Sequence, residues 1–211
     1  MAMQAGSGLL AVWTDIPAAM EEEFNAWYDT EHVPERLSVP GILSAERYVA
    51  VEGQPKYLAL YECTDERVLQ SEAYLKILKP GTPWTRRVTP HFINSSRCVY
   101  RQLLSLGNPP AQPAKAVLTV RMNVAAEDDR EINEWYNTDH LPALAKVPGV
   151  VRARRYVAVE GDSKYLALYE LENPQVVSSA AWDKARNSEW TIRVRPKFRD
   201  LKRVLSVRMG G

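Results

Sequence analysis

Two short segments of this 211-residue chain carry its clearest acid–base signal: Trp27-Tyr28-Asp29-Thr30-Glu31-His32-Val33-Pro34 and Trp135-Tyr136-Asn137-Thr138-Asp139-His140-Leu141-Pro142. Each ends on a histidine, whose unperturbed pKa of about 6.5 suits it to proton transfer near neutrality. Asp29 precedes His32 by three residues, one turn away on the same helix face, where a carboxylate would orient the imidazole and favour its charged form. The second copy has Asn137 there, which can only hydrogen-bond, so His32 is the stronger acid–base candidate and the two histidines are expected to be inequivalent. Tyr28 and Tyr136, four residues before each histidine, could hold a substrate oxygen or pack as aromatics on a sheet. A competing reading makes His32 and His140 simple caps of the last helical turn.

These segments belong to a longer duplication. Asn25–Glu62 is written again as Asn133–Glu170, a unit too large for a solenoid repeat and right for one small domain. The expected domains are 1–106, a Pro-rich linker at 107–113, and 114–211. Gly8–Asp15 and Ala116–Asn123 read as strands. Ala18–His32 reads as a helix, with three glutamates in its first turn and Pro34 expected to stop it at His32. Leu43–Glu52 and Tyr57–Glu62 form a hairpin about Gly53-Gln54-Pro55. A second helix over Asp65–Lys79 and a strand over Arg97–Leu104 complete a β-α-β-β-α-β order, the ferredoxin-like arrangement of an α+β protein.

Comparison of the copies assigns strand faces. Leu10 and Val12 match Leu118 and Val120 and should lie under the helices, whereas Trp13 becomes Arg121, a change a shared core would not tolerate. By alternation, Tyr57, Ala59 and Tyr61 are placed on the cavity side with Trp13, as are Tyr165, Ala167 and Tyr169. Tyr100 joins this set, opposite Ser206. Trp13, Tyr57, Tyr61, Tyr100, Arg121, Tyr165 and Tyr169 are thus the expected substrate-binding residues, with Arg121 pairing a carboxylate or phenolate. Arg47 and Arg155, inside apolar strands, need partners if buried, and glutamate is the default. His91 faces Lys197 in the other copy and has no shared role.

Composition narrows the function classes. A formal net charge of +1, with basic residues spread along the chain, gives no reason to expect nucleic acid as a partner. No apolar run reaches the ~20 residues of a membrane helix, and no secretory leader is visible, so a cytoplasmic setting is expected. Cys63 and Cys98 have no counterparts in the second copy, which argues against a disulfide framework. Three histidines without H-x-H or H-x-x-x-H spacing give no zinc site, and no glycine-rich phosphate loop is present.

The helix motif, the Pro-Gly loops at Pro40-Gly41 and Pro148-Gly149, and the strand order resemble the EthD-like members of the dimeric α+β barrel superfamily over nearly the whole chain. The resemblance implies two ferredoxin-like units packed sheet to sheet within one chain, acting on a small aromatic or polyketide-like molecule. It implies cofactor-independent proton-transfer chemistry of lyase or isomerase type, with His32, Asp29, Tyr28, His140 and Tyr136 as catalytic candidates. The alternatives are a cofactor-free monooxygenase and a non-catalytic binding or stress protein. Heme stays open, because related tandem barrels bind it through one proximal histidine, and His32, His140 and His91 are the available ligands. Two such chains could also associate through exposed strand edges.

Overall fold

The computed structural model describes residues 6–210; positions 1–5 of the first expected domain, and Gly211, lie outside the described residues. Each copy builds the same series. In the first it is β1 (Gly8–Asp15), α1 (Glu21–Trp27), α2 (Val33–Leu37), β2 (Ile42–Glu52), β3 (Tyr57–Cys63), α3 (Glu72–Leu78), α4 (Pro83–Val88) and β4 (Ile93–Leu106). In the second it is β5 (Ala116–Asn123), α5 (Asp129–Trp135), α6 (Leu141–Ala145), β6 (Val150–Glu160), β7 (Tyr165–Leu171), α7 (Ala180–Ala185), α8 (Glu189–Val194) and β8 (Arg199–Arg208).

The eight strands close into one antiparallel barrel in the order β1-β3-β2-β8-β5-β7-β6-β4. Closure is made by β2 against β8 and β4 against β6, so each half completes the other's sheet. This leaves no free edge among the described strands, and the expected route of association through strand edges is closed off. Helices cover the outside, so β1, β3, β5 and β7 are buried on both faces and read as nearly continuous apolar runs. Three apolar clusters result. One lies under the helices of each half, and the third, containing Leu9, Trp13, Leu58, Tyr100 and Leu168, fills the barrel from both halves.

Two expectations change. The first helix does not stop at His32: Tyr28–His32 form a π-helical turn and the helix continues through Pro34 to Leu37. Proline has no N–H to donate and its ring crowds the carbonyl four residues back; the wider π turn relieves both, and Leu141-Pro142 repeats the arrangement after Tyr136–His140. The second helix is broken at Ser71, whose extended backbone ends a 3₁₀ turn over Glu66–Gln70 and whose side chain caps α3, and Pro80 and Gly81 separate α3 from the added α4.

Candidate functional site

Register corrects the strand faces. Trp13 pairs across the ladder with Leu58, and Leu10 with Tyr61. Directly opposed residues share a face, so Leu58 and Leu60 point into the barrel, while Tyr57, Ala59 and Tyr61 lie under the helices with Leu10. The second half follows suit, with Tyr165, Ala167 and Tyr169 under its helices and Leu166 and Leu168 inside. Alternation fixes which residues share a face but not which face; that phase is set by pairing with the neighbouring strand. The expected binding set therefore divides. Trp13, Tyr100 and Arg121 lie in the barrel, and the other tyrosines lie under the helices, where only Tyr61 and Tyr169 of this set line the histidine cavities.

Tyr57 and Tyr165 hold the helices to the sheet. Tyr57 Oη donates to Glu21 and accepts from Asn25 Nδ2 (3.3 Å); Tyr165 Oη donates to Asp129 (3.1 Å) and accepts from Asn133 Nδ2 (2.9 Å). Tyr61 and Tyr169 instead line cavities, and their buried hydroxyls have no hydrogen-bond partner among the described residues.

The first-half cavity, about 180 Å³, lies between β1, β3 and the helices and is lined by Tyr28, His32, Arg36, Tyr61 and Tyr74 with apolar Leu10 and Val12. The His32 ring lies on Trp27 (centroids 4.2 Å) and meets Tyr28 edge-on at 5.0 Å. Trp27 is anchored by its indole N–H, shared between Glu31 (3.1 Å) and Thr85 (3.2 Å). The His32 Nδ1 is buried with no partner among the described residues. Burial, then the Arg36 and Arg47 charges, hold the His32 pKa well below the usual 6.5, so the imidazole is neutral. Burial pushes the Tyr28 phenol up to about 12, against the opposing pull of Arg47. With the helix running on past Pro34, His32 is not at a helix C-terminus, and the cap reading falls away.

Asp29 does not orient His32. Its carboxylate accepts from Arg47 Nη1 (2.5 Å), and the guanidinium lies 4.4 Å from the Tyr28 ring centroid. The π turn carries Asp29 toward β2 rather than toward the histidine. Arg155 takes the equivalent place between the Tyr136 and Tyr165 rings, with Asn137 Oδ1 (3.1 Å) as partner and Nε and Nη2 unpaired. The Asp29/Asn137 difference thus acts on the strand arginines; aspartate, not glutamate, pairs Arg47, and Arg155 has no carboxylate. Asn137→Asp is expected to raise stability by about 1–2 kcal/mol by supplying one, as a rise in thermal midpoint would show.

The second-half cavity is smaller, about 120 Å³, and has Leu144 where the first has Arg36. His140 stacks on Trp135 (4.4 Å), with Nδ1 at 3.4 Å from Thr191 Oγ1. Burial, then Arg195, lower its pKa to about 3. Since the folded value lies below the ordinary 6.5, the unfolded chain binds more protons between the two, and this contribution to stability is full above pH 6.5 and is lost as pH falls toward 3. His140→Gln should flatten that part of the acid limb in urea titrations. His91 is exposed, far from this arrangement in role, and Lys197 opposite it pairs with Asp128 and Glu131.

Two features escape the sequence pattern. Arg36, only 5% exposed, reaches the first cavity from one turn beyond His32, a spacing legible only if the helix is known to continue. At the far end of the barrel, Arg152 and Arg154 meet Glu62 and Glu170 in a buried four-residue cluster that joins the halves. A glutamate closing each Y-L-A-L-Y-E strand was its available signal.

No family model and no curated protein sequence matches the chain. Solved structures do share its fold. A presumptive monooxygenase from Fusobacterium nucleatum superposes with a TM-score of 0.64 at 12% identity, over 98% of this chain and 94% of that one. An anthrone oxidase-like protein gives 0.62 at 12% identity, over 100% and 94%. A chlorite dismutase variant from Candidatus Nitrospira defluvii, in complex with cyanide, gives 0.64 at 10% identity, over 98% and 92%. The last corrects the expectation of cofactor-free chemistry: cyanide is a ligand of heme iron, and a fold shared with a cyanide-binding dismutase does not imply a bare protein site. Heme itself does not fit the residues present here. A Trp ring covers one face of each imidazole, both cavities fall below the ~300–1,000 Å³ of ordinary ligand pockets, and His32 Nδ1 lacks the acceptor a metal-bound histidine normally has. Neither are three or more metal-ligating side chains grouped anywhere among the described residues. None of the described helices is long and apolar enough to cross a membrane. The architecture is the dimeric α+β barrel, with both of its ferredoxin-like units supplied by one chain.

Proposed function

We propose that the first half binds a single-ring phenol beside His32 and that the chemistry there is oxidative. The observation that carries this reading is a neutral, unpartnered imidazole facing a small aromatic-lined cavity next to a buried arginine. Its size supports the substrate class: an engineered apolar cavity of about 150 Å³ holds benzene. His32 takes the phenolic proton, and the positive field of Arg36 and Arg47 stabilises the phenolate, the electron-rich form that dioxygen oxidises; a bound hydroquinone gives up two electrons and its two protons to become the quinone as dioxygen becomes hydrogen peroxide. Tyr61, whose buried hydroxyl lies beside that of Tyr28 in the same cavity, donates to the same oxygen. The monooxygenase and oxidase-like names among the structural neighbours favour oxidation; nothing in them favours the lyase or isomerase chemistry expected from the EthD-like motif. His140, in a smaller cavity where Leu144 stands in place of Arg36, plays no part in turnover.

The test is oxygen uptake by the protein as purified, with any group it carries retained, across phenol, catechol, hydroquinone and 1-naphthol. Uptake with one-ring substrates and none with the two-ring one is expected. Equal turnover under strict anaerobiosis would remove the oxidative reading, and absence of phenol binding by calorimetry would remove the site.

A further inference from the structure

The barrel has two ends, and the one opposite the Arg152–Glu62 cluster has no part in the chemistry above. There Trp13 and Arg121, equivalent positions of the two halves, meet across the pseudo-twofold axis with the guanidinium carbon 3.7 Å from the indole centroid. Arg121 is 1% exposed, yet it forms the floor of a mouth of about 620 Å³ bounded by Gly53–Pro55, Asn94–Ser96 and Leu201–Arg203. This volume falls within the ordinary range for small-molecule pockets, about 300–1,000 Å³.

The charges around this mouth do not cancel. Lys202 is held by Asp162 (2.8 Å) and Arg203 by Glu52. Arg121 is left over: its guanidinium has five donors, of which Nη1 reaches Ser96 Oγ at 2.8 Å and Nε is buried without an acceptor. The nearest carboxylate oxygen, Asp162 Oδ1, is 3.8 Å away and already accepts from Ser96 Oγ (2.7 Å), Ser163 Oγ (3.3 Å) and Cys98 Sγ (3.2 Å). The Trp13 Nε1 beneath it is likewise buried and unpaired among the described residues. A buried guanidinium short of an anion is costly: Arg47, Arg152 and Arg154 each have one at hydrogen-bond distance, and Arg155, which has none, is sealed between two tyrosine rings with Asn137 as partner, whereas Arg121 opens on a mouth.

We infer that the Arg121 mouth is a binding site for a small organic monocarboxylate, whose carboxylate takes the free edge of Arg121 and whose remainder occupies the opening between the two hairpin ends. One surplus positive charge calls for a monoanion, and a planar guanidinium fork matches a carboxylate. Asp162, on the hairpin turn at the rim, sets a ceiling on affinity by presenting a like charge to the ligand.

Benzoate is the probe, with benzamide as its neutral isostere, measured by calorimetry and by thermal shift. Benzoate is expected to bind and to raise the thermal midpoint, with benzamide more than about tenfold weaker. Arg121→Gln should weaken benzoate by more than about tenfold, and Asp162→Asn, which keeps the arginine and removes the like charge, should tighten it by about threefold or more. No binding to the wild type at about 10 mM benzoate would overturn the site, as would a folded Arg121→Gln protein that binds as before. Should Arg121→Gln fail to fold, Asp162→Asn decides: unchanged or weaker benzoate binding there overturns the proposal. Because benzoate at the His32 cavity would ignore both substitutions, failure here and failure of the phenol site give different results.

Discussion

Glu62→Ala is expected to destabilise the protein by about 3–5 kcal/mol, the largest effect of any single change outside the apolar core. Glu62 lies one residue from the end of β3 in the first half, and its carboxylate accepts from Arg154 Nη1 (2.5 Å) and Arg152 Nη2 (3.0 Å), both on β6 of the second. Glu170, its equivalent, accepts from Arg152 Nη2 at 3.0 Å and lies 3.2 Å from Arg154 Nε. All four residues are buried. Two carboxylates balance two guanidinium groups; with Glu62 removed, one buried cation is left uncompensated where water cannot replace the lost partner. The cluster also spans the halves, so the loss falls on the packing of one unit against the other. Urea unfolding would show it as a drop in midpoint at constant slope. A change under about 0.5 kcal/mol would mean that the barrel end admits water and that the pairs are worth no more than surface ones.

Replacing His32 by Gln should lower phenol turnover by about 10²–10⁴, the usual contribution of a positioned general base, whereas His140→Gln should leave it within about twofold. The pH profile is the sharper test. With the His32 pKa held well below 6.5, the base stays deprotonated through neutrality and the rate has no acid limb near 6.5. Arg36→Leu, which installs the residue that Leu144 supplies in the other half, removes a positive charge and so raises the His32 pKa. The acid limb should move up toward pH 6.5 while the maximal rate falls, because the phenolate loses its counter-charge. Loss of rate without movement of the limb would leave Arg36 as packing only.

Much of this fold was legible in the residues. The duplication, the β-α-β-β-α-β order and the strands at Gly8–Asp15 and Ala116–Asn123 follow from the repeated string and local periodicity, and the structure has them at those bounds. The site was legible only in part. Tyr28, His32 and Tyr61 do come together, but Asp29 turns to Arg47, and Trp13, Tyr100 and Arg121 lie in another compartment. One misplaced phase produced most of this difference. Treating β3 and β7 as facing the opposite way moved four tyrosines into the barrel, and ending the helix at Pro34 hid Arg36.

The sequence by itself determined that one small fold is built twice, where its strands and histidines lie, and that the copies diverge at Asp29/Asn137 and Trp13/Arg121. These are properties of short strings: an alternation or a helix motif is written within a few neighbouring residues, and the repeat is the same strings written twice. Only the tertiary structure decided what the divergent residues meet. Asp29 could reach His32 along the chain and instead reaches a strand arginine, because a π turn of one extra residue rotates the helix face. Arg121 and Trp13, distant in sequence, meet only because the barrel closes on its pseudo-twofold axis. Ladder register, helix phase and barrel closure are set by packing between segments far apart in the chain, and no local pattern encodes them.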